Sequence, residues 1–104
     1  MNGKRHGKGK EYENSGNLSF EGTYLNGKRH GKGKEYYFGR VIFDGEFSNG
    51  YIIEGIKYGR DGNLEFILER NGIGKEYYDG YLKFEGIYLR GEKMEKENLI
   101  EMAN

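Results

Sequence analysis

The chain has 104 residues, 17 Lys/Arg against 17 Asp/Glu, and neither cysteine nor proline. This length serves one small domain with a thin core. The missing cysteine excludes a disulfide framework or a thiolate metal site, and the missing proline, with no glycine triplet, excludes collagen despite 19 glycines. Charged residues make up 33%, but ten tyrosines and six phenylalanines are more than a disordered segment carries. No apolar run approaches the roughly 20 residues that span a bilayer. MNGKRHGKGK at the start lacks the apolar stretch of a secretory signal. These features predict a soluble, intracellular, cytoplasmic protein.

Taken in chain order, the first feature is NGKRHGKGKEY at 2–12, which recurs letter for letter at 26–36. Asn-Gly pairs fall at 2–3, 26–27, 49–50 and 71–72. An aromatic-x-Gly-x-aromatic motif reads FEGTY at 20–24, FDGEF at 43–47 and FEGIY at 84–88. The copy at 66–70, FILER, puts Leu68 where glycine is due. GKEY occurs at 9–12, 33–36 and 74–77, with GIKY at 55–58 as a relaxed copy. The sequence therefore divides residues 1–90 into units at about 2–25, 26–48, 49–70 and 71–90, the third degenerate and the fourth shortened in its turn.

Within a unit, alternation places Phe20, Gly22 and Tyr24 on one face and Glu21, Thr23 and Leu25 on the other. Asn-Gly beside such a run is the strongest short hairpin signal, and a glycine every few residues opposes helix. The expected fold is all-β: an elongated antiparallel sheet of about four successive hairpins, adding about 10 Å per unit. A strand glycine is weak unless something packs over it. The motif glycines Gly22, Gly45 and Gly86 are expected to be floors for rings of a neighbouring strand, and Gly9, Gly33 and Gly74 of GKEY are read as structural repeat glycines. Phe20, Tyr24, Phe43, Phe47, Phe84 and Tyr88 would form the aromatic layer. The tail at 91–104 lacks further glycine after Gly91 and is read either as a short helix capping the last strand or as a disordered end.

The 20–37 segment, FEGTYLNGKRHGKGKEYY, resembles the MORN repeat family, whose unit is close to Y/F-x-G-x-Y/F/W-x-x-G-x-x-x-G-x-G followed by aromatics. Phe20, Gly22, Tyr24, Gly27, Gly31, Gly33 and Tyr37 occupy its marked positions. Weaker copies extend over about 2–90, with Leu68, the absence of GKRHGKG after Phe66, and YIIEG at 51–55 as departures. The resemblance implies an elongated, twisted sheet of hairpins and scaffold or binding work, often at membranes or the cytoskeleton, sometimes attached to a catalytic domain.

Residues 1–36 hold eight Lys/Arg and four acids, so the N-terminal part is basic and the remainder acidic. Lys4, Arg5, Lys8 and Lys10 form one basic cluster, and Lys28, Arg29, Lys32 and Lys34 the other. Read as hairpin turns, they would line one edge, either as solubilising charge or as a site for anionic membrane lipid. A phosphate loop is rejected: three residues rather than four separate Gly27 from Gly31, and no Ser/Thr follows the Gly-Lys. His6 and His30 sit at equivalent positions but bring no third ligand, so no metal or other cofactor is expected. Glu21, Asp44 and Glu85 alternate with the aromatics and are read as wet-face partners of lysine rather than as acid–base groups. A nucleic-acid partner is disfavoured by the zero net charge.

The sequence reading is a non-catalytic repeat scaffold that binds a protein partner, including a second copy as a homodimer. Its alternatives are an anionic-lipid adaptor and an accessory segment of a larger enzyme. Association with the membrane periphery or the cytoskeleton accompanies these readings.

Overall fold

A computed structural model describes residues 5–90 and 92–94. Nine strands make one open antiparallel sheet in sequence order, each hydrogen-bonded to the next. They are β1 (Gly7–Tyr12), β2 (Leu18–Leu25), β3 (Lys28–Tyr37), β4 (Arg40–Ser48), β5 (Tyr51–Tyr58), β6 (Leu64–Leu68), β7 (Ile73–Tyr78), β8 (Tyr81–Leu89) and β9 (Glu92–Lys93). The protein measures 47 × 33 × 19 Å. The long dimension fits nine strands at about 4.8 Å each, and the thin one fits a single layer with side chains on both faces. No described helix is long and apolar enough to cross a membrane.

The two-residue turns follow from their sequence. Asn26-Gly27 and Asn49-Gly50 both take positive φ at both positions (+53°/+84° and +50°/+90°), the pattern that matches the right-handed twist of flanking strands. Phe38-Gly39 takes the same form, with Phe38 at φ +45° and 66% exposed. A bulky side chain in that region is strained. The repeated NGKRHGKGKEY is a turn only at its first two residues in the second copy. From Lys28 onward it is strand β3, so the cations lie along a strand and not in a loop. Gly31, at φ +90°, sits where the β2–β3 register slips past Thr23, whose hydroxyl donates to the His30 carbonyl.

The tail expectation needs correction at its start. Glu92 and Lys93 pair with Leu89 and Tyr88 as a ninth strand rather than opening a helix. The remainder of that segment, 95–104, lies outside the described residues, as does Lys4.

Register explains why the sheet holds together. Gly9, Gly22, Gly33, Gly45 and Gly55 pair in succession across β1 to β5. Leu68 takes the next place, opposite both Gly55 and Gly74, and Gly74 pairs Gly86. The result is a ladder of glycine crossing the sheet, interrupted once by a buried leucine. Rings lie on this floor. A Cβ on Gly22 or Gly33 would stand 2.7 or 2.6 Å from Phe20 Cζ, and one on Gly45 or Gly55 2.7 or 2.6 Å from Phe43 Cζ. Each phenylalanine thus covers the glycine two residues ahead on its own strand and that glycine's partner next door. Gly22, Gly45 and Gly86 depart from the expectation, each being covered by a phenylalanine of its own strand, whereas Tyr24 covers Gly9 and Tyr88 covers Gly74 from the neighbouring strand. Phe84 covers Gly86 on its own strand.

Phe20, Tyr24, Phe43 and Phe47 form the main core, with Ile52 packed against it. Ring pairs meet edge to face: Phe20–Phe47 at 5.5 Å and Phe43–Phe47 at 5.4 Å between centroids. That geometry suits the ring quadrupole and adds about 0.5–1.5 kcal/mol per pair beyond area burial. A second group joins Phe66 to Tyr88 at 4.9 Å and Phe84 to Tyr88 at 6.3 Å.

Candidate functional site

The row next to the glycines alternates chemistry as well as strands. Glu11, Phe20, Glu35, Phe43, Lys57, Phe66, Glu76 and Phe84 are successive register partners across β1 to β8. All of them share the aromatic face, because cross-strand partners do. The GKEY glutamates therefore point at the rings. Sequence alternation carried this signal, since each glutamate lies two residues after a ladder glycine.

Charges on this face are organised around the rings. The Arg29 guanidinium carbon lies 3.8 Å from the Phe20 ring centre and 5.5 Å from that of Phe47. Its Nε is 3.1 Å from Glu11 Oε2 and its Nη1 2.7 Å from Glu35 Oε2. Tyr24 donates its hydroxyl to Glu11. The Arg29 hydrogen bond holds the Glu11 carboxyl below its usual range; partial burial opposes this, and the Tyr24 bond supports it. Burial and then the bond to Glu11 push the Tyr24 phenol up to about 12.

The same arrangement returns near the other end. Tyr88 donates to Glu76, and Lys93 Nζ sits 2.9 Å from Glu76 and 4.3 Å from the Phe84 ring centre. Hydrogen bonds from Tyr88 and then Lys93 lower the Glu76 carboxyl pKa. Burial and then the bond to Glu76 raise that of the Tyr88 phenol.

The two basic clusters are not a single edge. Arg5 lies 5.4 Å from the Tyr24 ring centre, and Arg29 is half-buried over Phe20, so both belong to the aromatic face. Lys8 and Lys10 flank Gly9, and Lys32 and Lys34 flank Gly33, which turns all four to the opposite face. There Lys8, Lys10 and Lys32 line a shallow hollow with Glu21, Thr23 and the bare backbones of Gly9 and Gly22. Lys10 and Lys34 are both register partners of Glu21, Lys34 is also paired with Asp44, and Lys75 with Glu85. Lys10 Nζ reaches Glu21 at 3.8 Å. Lys28 is exposed at the start of β3. His30 Nδ1 accepts the Asn49 N–H at 3.3 Å.

A concavity lies on the aromatic face between the two ring groups. It is an open cleft of about 700 Å³ over Phe66, walled by Phe43 and Ile52 on one side and Tyr88 on the other. Lys57, Leu64, Glu76 and Tyr77 line its body, and Asp61, Glu65, Tyr78 and Asp79 also contribute to its wall. Sequence reasoning placed Phe43 and Tyr88 in the aromatic layer but did not single out Ile52, Phe66 or Lys57. The signal was the degeneracy of the third unit, which marks where the layer thins. Comparison with known proteins found no matching family model, no matching curated protein and no matching solved structure.

Proposed function

We propose that this chain is a MORN-type repeat scaffold that docks a protein partner on its aromatic face. The observation that carries the reading is the open cleft over Phe66, flanked by two ring groups in a sheet only one layer thick. A single-layer sheet has no second layer to cover its apolar side, and a cleft that sets rings beside several charged groups offers a partner both apolar contact and polar anchors. A photo-crosslinking residue placed at Tyr78, beside the cleft, tests it. Under this reading the probe forms a discrete adduct with one protein in the source cells, and excess untagged chain competes it away. Equal labelling from Lys10, on the opposite face, or no competable adduct would count against it.

A second reading, docking to anionic lipid, draws on Lys8, Lys10, Lys32 and Lys34 lying on one face. Interleaved Glu21 and Asp44 weaken their joint field, and each cation would contribute about 1 kcal/mol at an anionic surface. Flotation with phosphoinositide-containing and neutral vesicles at two salt concentrations tests this reading. It requires binding that is selective for the anionic vesicles and fades with salt.

A further inference from the structure

The turn sequences explain why the cleft is open. Two residues after the turn glycines Gly27 and Gly50 stand Arg29 and Ile52, and in the sequence Arg5 and Lys93 follow Gly3 and Gly91 at the same spacing. Arg5 lies against Tyr24, Arg29 over Phe20, and Lys93 over Phe84. Ile52 packs on the main core. After Asn71-Gly72 the same place is held by Gly74, which has no side chain and is already part of the glycine ladder. The β6–β7 connection at 69–72 leads within two residues to the ladder glycine Gly74, so no cap is supplied there and Phe66 keeps an open face.

The protein itself shows what fits such a face. Arg29 lays its guanidinium on a ladder phenylalanine while adjacent glutamates take its N–H groups. Guanidinium suits this position because its flat faces stack and its edges donate in fixed directions. In the row Phe66 lies between Lys57 and Glu76, the latter already paired with Lys93; Asp61, Glu65 and Asp79 also line the cleft, leaving three carboxylates against the Lys57 cation. Glu65 and Asp79 form no ion pair among the described residues.

We infer that the cleft receives an arginine side chain from an extended basic segment of a protein partner, stacked on Phe66 as Arg29 is stacked on Phe20. This assignment rests on the interaction reading above and specifies its ligand chemistry.

The test is an NMR titration of the full chain with acetyl-Gly-Arg-Gly-amide and with the same peptide carrying citrulline, which keeps the shape and loses the charge. The arginine peptide should move the signals of Phe66, Gly74 and Tyr88, with a dissociation constant on the order of millimolar. The citrulline peptide should bind at least fivefold more weakly. Glu65→Gln combined with Asp79→Asn, both at exposed positions, should weaken the arginine peptide by a similar factor. Equal binding of the two peptides, an unchanged affinity in the double variant, or shifts confined to another acidic site such as Glu46 and Glu54 would each overturn the assignment. An adduct at Tyr78 with no arginine preference would remove this inference and leave the interaction reading standing. Loss of both would remove both.

Discussion

Replacing Gly45 by alanine tests whether ring-over-glycine packing holds the sheet together. A Cβ there would stand 2.6 Å from Gly55 Cα and 2.7 Å from Phe43 Cζ, and would also press on the Glu54 carbonyl oxygen. Two of those three neighbours are backbone of the adjacent strand and cannot swing away. Phe43 is 1% exposed and packed edge to face on Phe47, so moving its ring breaks a close contact. Overpacking of this kind costs about 1–3 kcal/mol, and lifting Phe43 forfeits part of the roughly 1.5–3 kcal/mol that its burial supplies. Alanine returns about 0.5–1 kcal/mol through lower chain entropy in the unfolded state. The net expectation is a loss of about 2–3 kcal/mol, or roughly 10 °C in Tm for a domain of this size.

Urea denaturation followed by tyrosine fluorescence measures the effect, with Gly59→Ala as the control. At Gly59 the new methyl meets no backbone, only the ends of the exposed Glu65 and Asp61 side chains, of which Glu65 can swing aside while Asp61, held by Asn63, need yield only slightly. That variant should stay within about 0.5 kcal/mol of the parent. If Gly45→Ala were no less stable than Gly59→Ala, the glycine floor would not be what packs the rings.

Three further predictions follow from the same packing. Leu68→Ala should cost about 2–4 kcal/mol, because the leucine is buried and fills the one gap in the glycine ladder; restoring the repeat's glycine should cost at least as much, and calorimetry showing stabilisation instead would refute that account. The pH profile should have two limbs. Glu11 has a lowered carboxyl pKa, so its contribution is present above the unfolded value near 4.5 and is lost as pH falls through the folded value. Tyr24 has a raised phenol pKa, so its contribution is present below the unfolded value near 10 and fades as pH rises toward about 12. Arg29→Ala should flatten the acid limb and Tyr24→Phe the alkaline limb of the urea midpoint against pH. Phe38→Asn should stabilise by about 1 kcal/mol, because asparagine tolerates the left-handed turn position and the exposed ring surrenders little burial; a lower urea midpoint would show that its edge-to-face contact with Tyr37 matters more.

Local rules made much of this protein legible from its residues. Positive-φ turns at Asn26-Gly27 and Asn49-Gly50 follow from two residues each, and strand alternation put Phe20, Phe43 and Phe84 on one face and Glu21, Asp44 and Glu85 on the other. Each of those statements depends on neighbours within a few positions, where backbone sterics decide.

Register across strands was less accessible. Whether Phe20 covers its own glycine or the neighbour's depends on where β2 meets β3, and a bulge at Thr23 helps to fix that. The basic clusters illustrate the same limit: read along the chain, Lys28, Arg29, Lys32 and Lys34 form one charged run, but the pleat and the bulge send Arg29 onto Phe20 and the later lysines to the opposite face.

Residue order alone determined the repeat, its hairpin turns, its aromatic stripe and the place where the pattern degenerates. Only the tertiary structure decided that the glycines align into one ladder, that Arg29 bridges Glu11 and Glu35 across three strands, and that the short run from Gly72 to the ladder glycine Gly74 leaves Phe66 uncapped. The physical reason is that φ/ψ preferences and side-chain alternation act over a few residues, whereas which ring meets which glycine, and which carboxylate meets which cation, is set by pairing between strands ten to twenty residues apart.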